Sequence, residues 1–144
     1  MDACRQLRRA VFIEEQLVPE TLEWDGLDPA ARHFLAFSLE GTESVAPASF
    51  QRLEQALGTA RMRRIDGHAK AERVAVRRDA RRYGVGRLLM QAVETRARHE
   101  GLDAVVLHAQ VTAIPFYESL GYAAHGGIFL DAGIDHRAMT KPLR

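Results

Sequence analysis

The sequence predicts a single α/β domain of the α+β kind, with a central mixed sheet, mostly antiparallel, and one parallel strand pair flanking a long helix. Three observations carry this. Residues 56–67 and 68–76 both read as strands, and Asp66-Gly67 between them is a hairpin signal. Residues 84–100 place Val85, Leu88, Leu89, Ala92 and Val93 at helical spacing, and Gly101 stops the helix. Strand-like runs, 72–76 and 104–110, stand on either side of that helix. A right-handed crossover makes those two strands parallel.

The other elements follow in chain order. Residues 3–17 carry Leu7, Ala10, Val11 and Leu17 on one side of a predicted helix. From Pro19 to Pro29 the pattern is an acidic loop with a short second helix. Residues 33–41 read as a strand closed by a glycine turn. The stretch from Thr42 to about Gln55 is long for a hairpin connection and could partly cover the sheet edge or contribute to a dimer. After the strand at 103–110, AIPFYESLG is a short helix ending at Gly121, and the remainder is a final hairpin.

The chain of 144 residues is long enough for one core and is read as one domain, residues 1–144. A 47% hydrophobic and 27% charged composition is that of a soluble globular protein. No apolar run approaches the ~18 residues of a membrane span, and MDACRQLRRAVF lacks a signal-peptide core. The lone cysteine, Cys4, cannot form an internal disulfide. The expectation is a cytoplasmic protein with no membrane partner. No histidine or cysteine pair has metal-site spacing, so no metal is expected.

Charge is unevenly spread although the net is +1. Glu14, Glu15, Glu20, Glu23, Asp25 and Asp28 fall in a stretch from Ala10 to Ala31 that holds no Lys or Arg. From Arg61 to Arg87 there are ten basic residues against Asp66, Glu72 and Asp79. Such runs are either two solvated faces or an anion site beside a cation site.

Arg81, Gly84 and Gly86 stand where the strand hands over to the long helix. Glycines there let main-chain N–H groups approach a ligand, and the helix start adds partial positive charge. That makes a phosphate site to which Arg81, Arg82 and Arg87 add full charges. A Walker loop is excluded because its Lys-Ser/Thr is absent, and a dinucleotide fingerprint because Leu89 stands where its third glycine belongs.

Arg81-x-x-Gly84-x-Gly86 resembles the pyrophosphate loop of the GNAT superfamily, the acetyl-CoA-dependent N-acetyltransferases. Ala113, Phe116, Tyr117, Gly121 and Tyr122 are similar to that family's second motif, at matching distance, and the likeness extends over nearly the whole chain. The resemblance implies the GNAT fold and acetyl-CoA as co-substrate. The main chain of Arg82, Tyr83, Gly84, Val85, Gly86 and Arg87 would hold the pyrophosphate, with Arg81 leading into the turn. The pantetheine would lie along Val74, Ala75 and Val76, where this strand splays from its parallel partner. Main-chain groups of Val74 and Val76 would bond its amides, and the N–H near Val76 would face the oxyanion. Gln110 stands where many relatives have Asn. It would contact CoA or hold the strand end, and Phe116 would pack beside it.

Acetyl transfer needs an acid and a base. By resemblance Tyr117 is the general acid beside the CoA sulfur. Glu72 is the candidate base: alternation puts it on one face with Val74 and Val76 and turns Arg73 away. The alternative for Glu72 is an ion pair with Lys70 or an arginine. His33, His108 and His136 could relay protons, or each could be a hydrogen-bonded structural histidine. Cys4 lacks a companion motif and is no nucleophile.

Two features depart from the family. Relatives open with a strand before the first helix, whereas here the helix starts almost at Met1: either the first strand is lost or the start is displaced, and a missing edge strand would leave the next strand bare for pairing in a homodimer. The acidic stretch lies in the family's acceptor region and, with Trp24 as a cation–π face, suggests a small cationic amine as acceptor. The alternative is a catalytically weak CoA-binding regulatory module of the same fold. A nucleic-acid partner is not expected, because few aromatics accompany the arginines.

Overall fold

A computed structural model describes residues 2–39, 42–47 and 56–144. Among the described residues seven strands form one sheet: β1 (Arg32–Leu39), β2 (Thr42–Pro47), β3 (Ala56–Ile65), β4 (His68–Val76), β5 (Ala104–Gln110), β6 (Ala123–Asp131) and β7 (Ile134–Pro142). Their order is β2-β1-β3-β4-β5-β7-β6, antiparallel except for the parallel pair β4 and β5. The described α-helices are α1 (Asp2–Arg8), α2 (Glu20–Glu23), α3 (Val85–His99) and α4 (Ile114–Ser119). No described helix is long and apolar enough to cross a membrane.

β3 is the central strand for burial. Ala56 through Met62 are all buried, because β1 and β4 pair on its edges while α1 and α3 cover its two faces. α3 lays Val85, Leu89, Met90, Val93 and Ala97 against one face. This is the apolar stripe expected from its 3.6-residue period. Gly58 permits the approach, since a Cβ there would lie 2.9 Å from the Ala75 carbonyl and 3.0 Å from Val85 and Leu89. On the other face α1 packs Ala3, Cys4 and Leu7 with Leu35 and Ala56. Burial holds the Cys4 thiol above its ordinary pKa, which agrees with an inert cysteine.

Four expectations need correction. The helix at 3–17 is not uniform: α1 widens into a π-helix at Arg9–Glu15, closed by Gln16 N–H donating to the Val11 carbonyl at 3.0 Å. The connection after Leu39 contains a strand, β2, which pairs with β1 from Phe34↔Pro47 to Leu39↔Thr42; residues 48–55 of that connection lie outside the described residues. No strand precedes α1 among the described residues, yet β1 is not bare. β2 satisfies its outer N–H and C=O groups, so the argument for a homodimer through that edge lapses.

The last correction is at β4, which is not a regular strand. Thr59 faces Ala75 while Arg61 faces Glu72, so two steps in β3 span three in β4. The extra residue is accommodated at Arg73, whose φ is +52°. Alternation is therefore broken between Glu72 and Val74. Val74 and Val76 pack toward the α3 core, whereas the Glu72 and Arg73 side chains both reach acidic or basic partners on the opposite face.

Candidate active site

β4 and β5 pair only from Ala69↔Val105 to Ala71↔Leu107 and then diverge. The fork opens a cleft of about 830 Å³ walled by Val74, Val76, Leu107, His108, Gly84 and Tyr117. Arg77 N–H donates to the Leu57 carbonyl of β3 at 2.7 Å. Main-chain groups alternate sides along a strand, so Val76 and Val74 turn theirs away from β3 into the fork. Arg81 Nε takes up the Val76 carbonyl at 3.0 Å.

The glycine turn stands at the wide end of this fork. Arg82 and Gly84 both adopt positive φ, +72° and +83°, and α3 begins immediately after. Leu88 N–H is the first to find a helical acceptor, the Gly84 carbonyl at 3.1 Å, leaving the N–H groups before it for a ligand. Gly86 is constrained differently. A Cβ there would fall 2.9 Å from the Phe116 ring, which closes over the turn. Arg82 and Arg87 make no ion pair with the described residues. Arg81 does: both terminal nitrogens bond Glu15 at 2.7 Å. Its charge is committed to tying β4 to the end of the π-helix. Tyr83 is exposed and its side chain does not line the cleft.

Tyr117 is buried, with its ring edge-on to Phe116 at 5.0 Å and to Tyr122 at 5.8 Å. Tyr122 in turn donates to Glu94 at 2.9 Å, which fixes the aromatic stack to α3. The Tyr117 hydroxyl makes no hydrogen bond with the described residues, and its residue lines the cleft. Burial pushes its pKa up to about 12, so it is a protonated donor at neutral pH. Gln110 exchanges amide hydrogen bonds with Gln16, at 2.8 and 3.3 Å, and so clamps the end of β5 to the segment after the π-helix.

Glu72 is placed on the cleft wall but not as a free base. Its Oε2 accepts from Arg61 at 2.6 and 3.0 Å and from Arg63 at 2.8 Å; Oε1 accepts from Arg63 at 2.6 Å and lies 3.3 Å from Lys70. Burial alone would raise its pKa, but the bonds from Arg63 and Arg61 outweigh that and hold it at about 2. A carboxylate so engaged has little proton affinity near neutral pH. The ion-pair alternative is the one found, and the bulge explains why alternation misjudged its face. Because the folded value is depressed from 4.5, Glu72 stabilises the fold above about pH 4.5, and that contribution disappears as pH falls toward about 2. Denaturant midpoints measured from pH 6 to pH 3 are expected to fall, and to fall less steeply in a Glu72→Gln chain.

The acidic stretch, the exposed Glu14 apart, is likewise engaged. Arg8 and Arg61, each 1% exposed, form the centre of a network. Arg8 bonds Glu23 at 2.7 Å and Asp28 at 2.8 Å; Arg61 bonds Asp25 at 2.7 Å and Asp28 at 2.9 Å. Arg73 Nη2 adds Asp25 at 3.2 Å. Its Nε lies 3.2 Å from a Glu23 oxygen without hydrogen-bond geometry. Glu20 pairs with Arg9. Trp24 is covered by Arg5, Arg8 and Arg9, with Arg8 5.1 Å from its ring centre. These carboxylates and this aromatic face serve the protein's own arginines and are not open to a cationic acceptor. Among the described residues no cluster of three or more His, Cys, Asp or Glu could hold a metal ion.

Two histidines reach the cleft. His136 gives Nδ1 to the Ile134 carbonyl at 2.7 Å and stacks on Phe129. His108, one residue past the last β4–β5 pair, has its ring 5.0 Å from Phe129, edge to face. His33 is outside, bonded to the Asp28 carbonyl at 2.9 Å.

A diverging parallel pair, a glycine turn capping the following helix and a tyrosine on the next helix together frame the cleft. The family model for the acetyltransferase (GNAT) domain matches residues 28–143. Over 136 residues the chain is 36% identical to the "Uncharacterized N-acetyltransferase YjcF" of Bacillus subtilis, covering 94% of this chain and 87% of that protein. It is 33% identical over 141 residues to YyaT of the same organism, covering 96% and 86%. An acyl-CoA N-acyltransferase from Pseudomonas aeruginosa superposes with a TM-score of 0.75 at 29% identity, over 96% of this chain and 87% of that one. The chain belongs to the GNAT acetyltransferases.

Proposed function

We propose that this chain moves the acetyl group of acetyl-CoA to a primary amine by direct attack in a ternary complex. The observation that carries the proposal is the fork itself. The main-chain edge of Val74 and the Val76 N–H face it, the Val76 carbonyl being taken by Arg81; helix-start N–H groups close one end, and the Tyr117 hydroxyl stands free within the same cleft. Val74, Ala75 and Val76 would run beside the pantetheine, and residues 82–87 would bind the pyrophosphate, with Arg82 and Arg87 as the uncommitted charges. Acetyl-CoA supplies an activated thioester. Tyr117 donates toward the sulfur as the C–S bond breaks, and the Val76 N–H, aimed into the fork, serves the developing oxyanion.

The acceptor is a small amine. The reason for a cationic one now rests on Asp131 alone, the cleft carboxylate that makes no ion pair with the described residues.

Calorimetric titration with acetyl-CoA, followed by an amine screen monitored by thiol release, tests the reading. Micromolar affinity is expected, falling at least tenfold in Gly84→Glu. That change puts a side chain at φ +83° and a carboxylate beside the phosphates. Binding without turnover on any amine would leave only a CoA-binding module. No binding at millimolar concentration would remove the reading altogether.

A further inference from the structure

With Glu72 engaged by two arginines, the cleft still needs a proton acceptor. We infer that His108 is the catalytic base, a role that rests on the acetyl-transfer reading above. Position argues first. β4 and β5 separate after Ala71↔Leu107, so His108 is the first β5 residue beyond the pairing and stands at the apex of the fork. Val105, Leu107 and Ala109 point into the α3 core, which turns the His108 side chain to the opposite face, the one carrying Glu72 and Arg63.

Availability argues second. Neither ring nitrogen of His108 makes a hydrogen bond with the described residues. His136, the other cleft histidine, has its Nδ1 held by a carbonyl. Phe129 of β6 fixes the His108 plane by an edge-to-face contact and is backed by the His136 ring at 6.0 Å. The imidazole is thus oriented by apolar contact while its nitrogens stay open to the cleft.

The charged groups around it are Lys70 and Glu72 on β4, Asp131 on β6 and His136 on β7. Burial and then Lys70 depress its pKa below the ordinary 6.5; Asp131 and Glu72 oppose them without reversing the direction. The ring is therefore neutral at pH 7 and able to accept.

In the step assigned to it, the amine nitrogen bonds the acetyl carbonyl carbon and the C–S bond breaks with its electron pair on sulfur. The proton released from nitrogen goes to His108. Nitrogen bonded to the acyl carbon is a stronger acid than the parent ammonium, so a weakly basic imidazole suffices.

The test compares the parent chain with His108→Gln, using whichever amine the screen identifies. The variant is expected to bind acetyl-CoA within about twofold of the parent, to lose about 10²–10⁴-fold in kcat, and to lose the rise of kcat with pH. The parent's rise should have its midpoint below 6.5, matching the His108 imidazole titration followed by NMR. A variant that keeps the parent's rate and pH profile overturns the assignment, as does an NMR titration above 6.5. If the parent binds acetyl-CoA but acetylates no amine, the acetyl-transfer reading fails and the base assignment fails with it. Parent turnover with an unaffected variant removes only the base.

Discussion

Replacing Arg61 by alanine is expected to cost about 3–5 kcal/mol, the range for breaking a buried ion-pair network from one side. Arg61 is 1% exposed and reaches Asp25, Asp28 and Glu72 with all three of its guanidinium nitrogens. Burial opposes its charge, but those carboxylates more than compensate and push its pKa further up. Without it, Asp28 keeps Arg8 and the more exposed Arg5, Asp25 keeps Arg73, and Glu72 keeps Arg63 and Lys70. Each is left with fewer bonds than its desolvation requires. A domain of this size has roughly 5–15 kcal/mol in total, so the loss is a large share of it. Urea unfolding of the two chains measures it directly. A loss under about 1 kcal/mol would mean that water reaches the site easily and the network is electrostatically cheap. The penalty comes from orphaned charge, so a partial apolar replacement is expected to help: Arg61→Met with Glu72→Met should be more stable than Arg61→Met alone.

That network is also where the sequence spoke least. Arg61 and Glu72 face each other across a hairpin whose turn, Asp66-Gly67, is plain from composition, yet nothing local announces that Arg61 is buried. Its other partners, Asp25 and Asp28, are 36 and 33 residues away. The acidic and basic runs were visible as separate stretches; that they neutralise one another depends on α2 and the following loop folding over β3 and β4. The bulge at Arg73 was hidden for another reason. A positive φ usually selects glycine, and here an arginine holds it because its guanidinium is anchored to Asp25. One unmarked residue then moved Glu72 to the wrong face in any period-two reading. By contrast, β4, the start of α3 and the segment carrying Tyr117 were legible because short-range rules govern them. A helix stripe, a hairpin dipeptide and glycines at positive φ are each written within a few residues. β2 was missed because Thr42–Pro47 is short and its pairing with β1 gives it most of its reason to be a strand.

Tyr117→Phe separates chemistry from packing at the centre of the cleft, and its expected result is a fall of about 10²-fold in kcat with little change in acetyl-CoA affinity. The ring makes the contacts with Phe116 and Tyr122, and phenylalanine keeps them. What is deleted is a hydroxyl with no hydrogen-bond partner among the described residues, so the fold loses little with it. A phenol at about 12 is a weaker acid than a thiol near 8.5, so complete proton transfer to the departing sulfur runs uphill. Its contribution is a hydrogen bond that strengthens as charge builds on sulfur, which places the loss at the low end of general-acid effects. For the same reason no descending limb from Tyr117 should enter the pH–rate profile below about pH 10. If kcat is unchanged while the unfolding midpoint drops, Tyr117 is a packing residue and the sulfur is served by solvent. If kcat falls and the rise assigned to His108 stays in place, acid and base are distinct groups on opposite sides of the fork.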